Sequence, residues 1–189
     1  MRLKEDNPYL ADVVHSYNLR GFSFREYLNL FTNANIKALT LDELLKNHQQ
    51  IAEEITQKIN PFDYFDAYLQ HGFYPFFLEK RNFSENLLKT MNMMMEVDIL
   101  LIKQIEPAYL TKIRKLLYML VKDAPCTPNV SKLSQEISTS RATVVNYIKY
   151  LSDARLINVL YEEGESFPKK PAKVYMHNPN LMQVVGEEN

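Results

Sequence analysis

The chain has 189 residues, 46% hydrophobic and 24% charged, with a formal net charge of −1, which is ordinary globular usage and excludes wholesale disorder. A single cysteine, Cys126, excludes an internal disulfide and a Cys-rich zinc module. There are only four glycines, and the closest pair, Gly164 and Gly186, lies 22 positions apart, which excludes a Walker A loop, a dinucleotide fingerprint and a G-x-S-x-G elbow.

The N-terminus, MRLKEDNPYL, has no apolar h-region, and no run approaches the roughly 18 apolar residues of a spanning helix. A cytoplasmic chain with no membrane partner is the expectation. Asn7-Pro8 reads as a helix start. Ser23-Phe24-Arg25-Glu26 fits a capping box opening a short helix to about Phe31, and Thr40-Leu41-Asp42-Glu43 fits a second. The helix after Thr40 carries Leu44, Leu45, His48, Ile51, Ile55 and Ile59 near one face. Asn60-Pro61 caps the next helix, and His71-Gly72 is expected to end it, with Gly72 left-handed. The aromatic run Phe73–Phe77 reads as a turn entering a short helix. Residues 84–105 form the longest amphipathic pattern, with Leu87, Leu88, Met91, Met94, Met95, Ile99, Ile102 and Ile105 on a core face.

Pro107 starts a new helix, whose inward positions over 108–123 are Ile113, Leu116, Leu117, Leu120 and Val121. Residues 125–128 read as a loop and 130–138 as a short helix with Leu133 and Ile137 inside. Ser140 caps a third helix, RATVVNYIKYLSDA. Residues 156–161 read as a strand, EEGESFPKKP as a polar loop, and 173–176 as the return strand. Three short helices followed by a hairpin is the order of a winged helix-turn-helix. The expected fold is therefore mainly α: a helical, lid-like region over 1–106, a winged helix over 107–178 with a small β-hairpin, and a tail over 179–189.

In a winged helix, Arg141, Thr143, Asn146 and Lys149 would lie on the exposed side of the recognition helix. Lys169, Lys170 and Lys173 would reach DNA phosphates from the wing. Charge runs the same way. Residues 1–106 hold 11 Lys and Arg against 15 Asp and Glu, whereas residues 107–177 hold 11 against 6. A locally basic segment is the electrostatic footprint of a nucleic-acid contact. Against this, only Arg141 and Lys149 are basic on that helix, and Val145 is expected to be exposed on it. Winged helices also dock proteins, so both partners stay open. The four histidines lack metal-ligand spacing, and neither Asp63/Asp66 nor Glu96/Asp98 suggests paired acid–base chemistry. No catalytic residue, metal site or resident cofactor is expected.

Several segments together resemble a bacterial and archaeal AAA-type ATPase family. Arg20-Gly21-Phe22-Ser23-Phe24-Arg25-Glu26-Tyr27-Leu28 is similar to its G-L/F-S-F-R-E-Y/F-L signature, and Tyr68–Pro75 to its Y-L-x-x-G-G-Y/F-P segment with a changed glycine position. Glu96-Val97-Asp98-Ile99 resembles its E-x-D-I step. Pro128–Leu133, Ser140–Val144, Tyr147-Ile148 and Lys173–Tyr175 followed by Asn178–Leu181 resemble its winged-helix region. The resemblance implies a P-loop ATPase domain upstream, with ATP and Mg as its ligands, and a nuclease-like domain downstream. Walker A and Walker B are absent here, so the chain is expected to be the part that follows the ATPase core, with an ATPase domain or another protein as partner. The resemblance makes Arg25 the candidate to reach a nucleotide phosphate; its residue context alone makes it an arginine in a capped turn. A complete small DNA-binding regulator and a protein-docking adaptor are the alternative readings.

Overall fold

The computed structural model describes residues 9, 13, 15, 19–79, 81–101 and 105–187. The Asn7-Pro8 helix start, the backbone at Ile102 and the last two residues of the expected tail lie outside them. The described residues form two compact units, divided between Phe83 and Ser84.

The first unit, Arg20–Phe83, is aromatic. Helix α1 (Phe24–Thr32) opens on the expected capping box: Ser23 Oγ accepts from the Glu26 amide, and the Glu26 carboxylate accepts from the Ser23 amide at 2.8 Å. It ends where Asn33 turns left-handed (φ 52°). Helix α2 (Leu41–Thr56) has the second box, Thr40 with Glu43, and a kink at Asn47. Helix α3 (Phe62–Ala67) starts under the side chain of Asn60, which accepts from the Phe62 amide. It runs straight into a π-helical turn, Tyr68–Gly72, and a 3₁₀ turn follows at Pro75–Glu79. Tyr27 is the hub of the core, its ring 4.7–5.4 Å from those of Phe31, Phe77 and Tyr68.

Gly72 does not end its helix in a left-handed cap, because φ is positive at Gly164 alone of the glycines. Its reason is space. A Cβ there would stand 2.3 Å from the Tyr68 ring and 2.8 Å from that of Tyr27. Gly21 is crowded likewise by the Phe73 ring, beside the bond from the Phe22 amide to the Phe73 carbonyl.

In the second unit, which also takes in the described residues before Arg20, helix α4 (Phe83–Met94, all but its first residue in this unit) is continued by a π-helical turn, Met95–Leu101. Leu87, Met91, Met95 and Ile99 are all buried. In an α-helix, side chains four apart drift round the axis, and the wider π turn swings Ile99 back, so the stripe stays on one line. The turn packs on α5 (Pro107–Lys122) and α7 (Arg141–Asp153). This packing joins 84–101 to the winged helix, whereas the sequence placed a boundary at 106/107. Between α5 and α7 lies α6 (Val130–Glu136). Strands β1 (Ile157–Leu160) and β2 (Lys173–Met176) pair antiparallel, with Ile157 opposite Met176 and Leu160 opposite Lys173.

Cys126 and Val174 exchange both main-chain hydrogen bonds, at 3.1 and 2.8 Å, which adds a short third edge to the hairpin inside the expected 125–128 loop. The architecture is mainly α, a helical region followed by a winged helix-turn-helix. The core is aliphatic: Ile113, Leu116, Leu117, Val144, Ile148, Leu151, Leu156 and Val174 are essentially inaccessible. The expected tail is corrected. It folds as α8 (Pro179–Glu187), started by the Asn178 side chain accepting from the Leu181 amide, and it buries Leu181, Val184 and Val185.

Candidate nucleic-acid interface

Helices α6 and α7 meet at a tight turn whose carbonyls are satisfied from α5. Lys112 Nζ donates to the Ser138 carbonyl at 2.7 Å, and Lys115 Nζ to the Glu136 carbonyl at 2.8 Å. Ser140 then caps α7 by accepting from the Thr143 amide, and its hydroxyl pairs with that of Thr143.

The recognition helix is more covered than its sequence suggests. Val145, expected outside, is 8% exposed, and Tyr147 is 4% exposed. Val144, Val145, Tyr147, Ile148 and Leu151 are all buried, an arc of about 160° of the helix wheel that is wider than the spacing of Val144, Ile148 and Leu151 alone suggests. Only Arg141 and Ala142 on α7 are exposed; Thr143, Asn146 and Lys149 are half-buried. Lys149 is paired with Asp153 one turn on.

Other cations of the basic segment are also engaged. Arg114 pairs with Glu96 at 3.2 Å, which places the E-x-D-I step in a structural role together with buried Ile99. Lys169 pairs with Glu165 at 2.5 Å inside the wing. In this segment Lys115, Lys122, Lys132, Arg141, Lys170 and Lys173 are exposed and have no ion pair among the described residues, and Lys115 is held by the Glu136 carbonyl.

Arg141 and Lys170 converge. They line one open cleft of about 570 Å³ with Thr127, Asn129, Val130 and Ser131. The cleft lies between the helix-turn-helix and the wing, and exposed Lys132 of α6 lines a neighbouring depression that shares Thr127 and Asn129 with it and also contains Asp123. It offers two cations, hydroxyls and amide groups to an anion. Lys169 and Lys170 also line a second depression, whose acids Glu162 and Glu165 make it nearly neutral. Sequence pattern singles out Arg141 and Lys170 but not Lys132, Thr127 or Asn129. Lys132 follows the capping asparagine by three positions, and that spacing was the available signal.

Arg25 belongs to the aromatic unit. Its Nη1 donates to the Ile36 carbonyl at 3.4 Å, which also accepts from Asn29 Nδ2 at 2.9 Å, and its Nη2 lies 3.9 Å from Glu26. The arginine thus braces the loop after α1. Among the described residues no group of three or more His, Cys, Asp or Glu could hold a metal ion, and no helix is long and apolar enough to cross a membrane. Burial, then the charge of Asp123, pushes the Cys126 thiol above its ordinary value, so it is no activated nucleophile.

No solved structure matches the chain. An uncharacterized protein of Methanocaldococcus jannaschii is 27% identical over 187 residues, covering 92% of this chain, and the chain spans 37% of that relative's length. Residues 62–185, about two thirds of the chain, match a family that takes in the end of the aromatic unit and nearly all of the winged-helix unit. The chain belongs to that family, described as a domain of unknown function (DUF8612).

Proposed function

We propose that the chain is the non-catalytic helical and winged-helix region of a longer, cytoplasmic AAA-type ATP-binding protein, and that its winged helix holds DNA by the phosphate backbone. The observation that carries the DNA reading is the cleft: Arg141 and Lys170 face one opening, Lys132 lines the depression next to it, and none of the three has an ion pair among the described residues. Lys112, Lys115, Arg114 and Lys149 are engaged within the fold, so the partner meets a small, defined set of cations. Phosphate contacts of this kind position a duplex without reading its sequence. The order of the family-like segments and the greater length of the archaeal relative support a place within a larger protein. In that protein Arg25 reaches a nucleotide phosphate by giving up its long bond to Ile36.

Titration of a fluorescent duplex with the chain at several salt concentrations tests the DNA reading. Three neutralised phosphates give a log–log salt slope of about −2.7. Arg141→Ala with Lys170→Ala should remove about two thirds of that slope and most of the affinity. Lys149→Ala should do much less, because that lysine already has Asp153. No binding at low salt, or binding indifferent to the double change, overturns it.

The coverage of α7 supports a second reading. With Val145 and Tyr147 buried, the helix presents few side chains to base edges, which suits a module that docks on a protein. That reading predicts partner capture that survives the Arg141→Ala and Lys170→Ala changes.

A further inference from the structure

Helix α2 has a sharply divided surface and no buried residue. Leu41 and Leu45 are 72% and 71% exposed, and Leu44 stands out beside them; Ile51 and Ile55 continue the stripe, half-covered. The polar side is acidic: Asp42, Glu43, Glu53 and Glu54 against the single Lys46. Lys46 is itself paired with Asp42, and Glu43 with its cap, so the C-terminal half presents Glu53 and Glu54 beside Ile51 and Ile55. A lone helix of this length is marginal in water, and an apolar stripe of this kind fits a helix awaiting a partner.

The opposite surface exists on the second unit. An open groove of about 880 Å³ runs along α5, with Gly186 of α8 at its edge. Tyr118 and Met119 supply its apolar lining above buried Val121; of the cations at its rim, Arg114 is paired with Glu96 and Lys115 holds the Glu136 carbonyl, while Lys122 is exposed and has no ion pair among the described residues. The groove takes in α5 from Thr111 to Lys122, about 17 Å of axis, and so has room for about three turns of the stripe, which runs from Leu41 to Ile55 with the Asn47 kink inside it. An acidic amphipathic helix and a basic-rimmed apolar groove complement each other in charge and hydropathy.

We infer that α2 of one copy docks in the α5 groove of a second copy. Each copy carries both halves, so exchange in both directions closes a two-fold dimer with two identical helix-in-groove contacts.

The test is sedimentation of the full chain across a dilution series. A concentration-dependent dimer is expected. Leu45→Asp should raise its dissociation constant about tenfold or more, since the leucine leaves its pocket at each of two contacts. In case Leu45→Asp loosens α2 itself, a charge exchange gives the decisive arm. Glu53→Lys with Glu54→Lys in one preparation, and Lys122→Glu in another, should each weaken self-association. Mixed together, they should form a heterodimer tighter than either homodimer, because each contact then pairs opposite charges. A chain that stays monomeric, or a dimer indifferent to these changes, or variants that show no rescue on mixing, overturns the inference. The DNA titration is unaffected by this outcome, because none of these residues lines the Arg141–Lys170 cleft.

Discussion

In the winged-helix unit the large apolar side chains are mostly aliphatic and mostly inside, from Ile113 and Leu117 to Val185. In the aromatic unit Leu30, Phe31, Leu41, Leu45, Phe62 and Leu78 stand in water around a small core at Tyr27, Leu28 and Phe77. Both have well-formed helix caps, so the contrast lies in packing and not in local structure. Local signals fold each segment; burial of long-range apolar contacts decides which segments hold themselves in place. The winged-helix unit satisfies that demand internally, and the aromatic unit leaves much of its apolar surface for another surface to cover.

The largest effect expected from this contrast is in the cores. Leu117→Ala removes a fully buried side chain from the middle of α5 and should cost about 2–5 kcal/mol. Leu45→Ala should fall within about 0.5 kcal/mol, because its side chain is exposed in the single chain. Urea denaturation of the full chain at a concentration too low for self-association measures both. Equal costs would break the comparison and mean that α2 is packed after all.

A smaller contrast concerns two glycines. Gly72→Ala forces a methyl against Tyr68 and Tyr27 and should destabilise by about 1–3 kcal/mol, read as a loss in the same denaturation experiment. Gly186→Ala meets nothing within 4 Å and lies in a helix, so it should be neutral or stabilising by up to about 1 kcal/mol. A harmless Gly72→Ala would mean that the aromatic rings can give way, and that this unit is loosely packed throughout.

What was legible in the sequence follows the same division. Ser23, Thr40 and Ser140 announce their helices because capping is a contact over three residues. Strand β2 was legible at its true ends because its neighbours are a Pro-rich loop and an Asn-Pro turn. The apolar face of α2 was legible too, but periodicity reports which residues share a side and not whether anything lies against it. Val145 failed for the converse reason: wheel position placed it outside, and tertiary packing covers it. The Cys126–Val174 pairing spans 48 positions, and a two-bond bridge leaves no periodic trace. The cleft was half legible: Arg141 and Lys170 follow from the motif order, whereas the neutralisation of Lys149 and Lys169 is a matter of which acids lie one turn away, a signal present at i+4 and i−4. The two compact units were illegible at Phe83–Ser84 because the polar run Glu79-Lys80-Arg81-Asn82 reads equally as the solvated start of the helix that follows.

The caps rank next. Ser140→Ala removes the acceptor for the Thr143 amide and should cost about 1 kcal/mol, again by denaturation. It should also weaken DNA binding beyond what the stability loss explains if Arg141, the first residue of α7, is the phosphate contact. A change in stability with no change in affinity would separate the cap from the cleft.

The smallest expected effect is on pH dependence, and each unit has one histidine that carries it. His71 lies edge-on to the rings of Phe83 and Tyr27, and burial lowers its pKa below the ordinary value near 6.5. His177 is lowered by burial and then by the nearby Arg155. In both, the unfolded chain binds the proton more readily than the folded one, so stability is full above the ordinary value and falls as pH drops through it towards the folded pKa. Melting temperature should therefore be level between about pH 7 and 8 and decline in the region below 6.5. Glu26 and Glu43 do not interfere there, because the hydrogen bonds from Ser23 and Thr40 hold their carboxyls below the ordinary carboxylate range. His71→Phe should flatten the decline contributed by the aromatic unit, and His177→Asn that of the winged-helix unit. If neither change flattens it, the slope belongs to other groups. If His71→Phe alone does, the aromatic unit is the first to open in acid, as its smaller core requires.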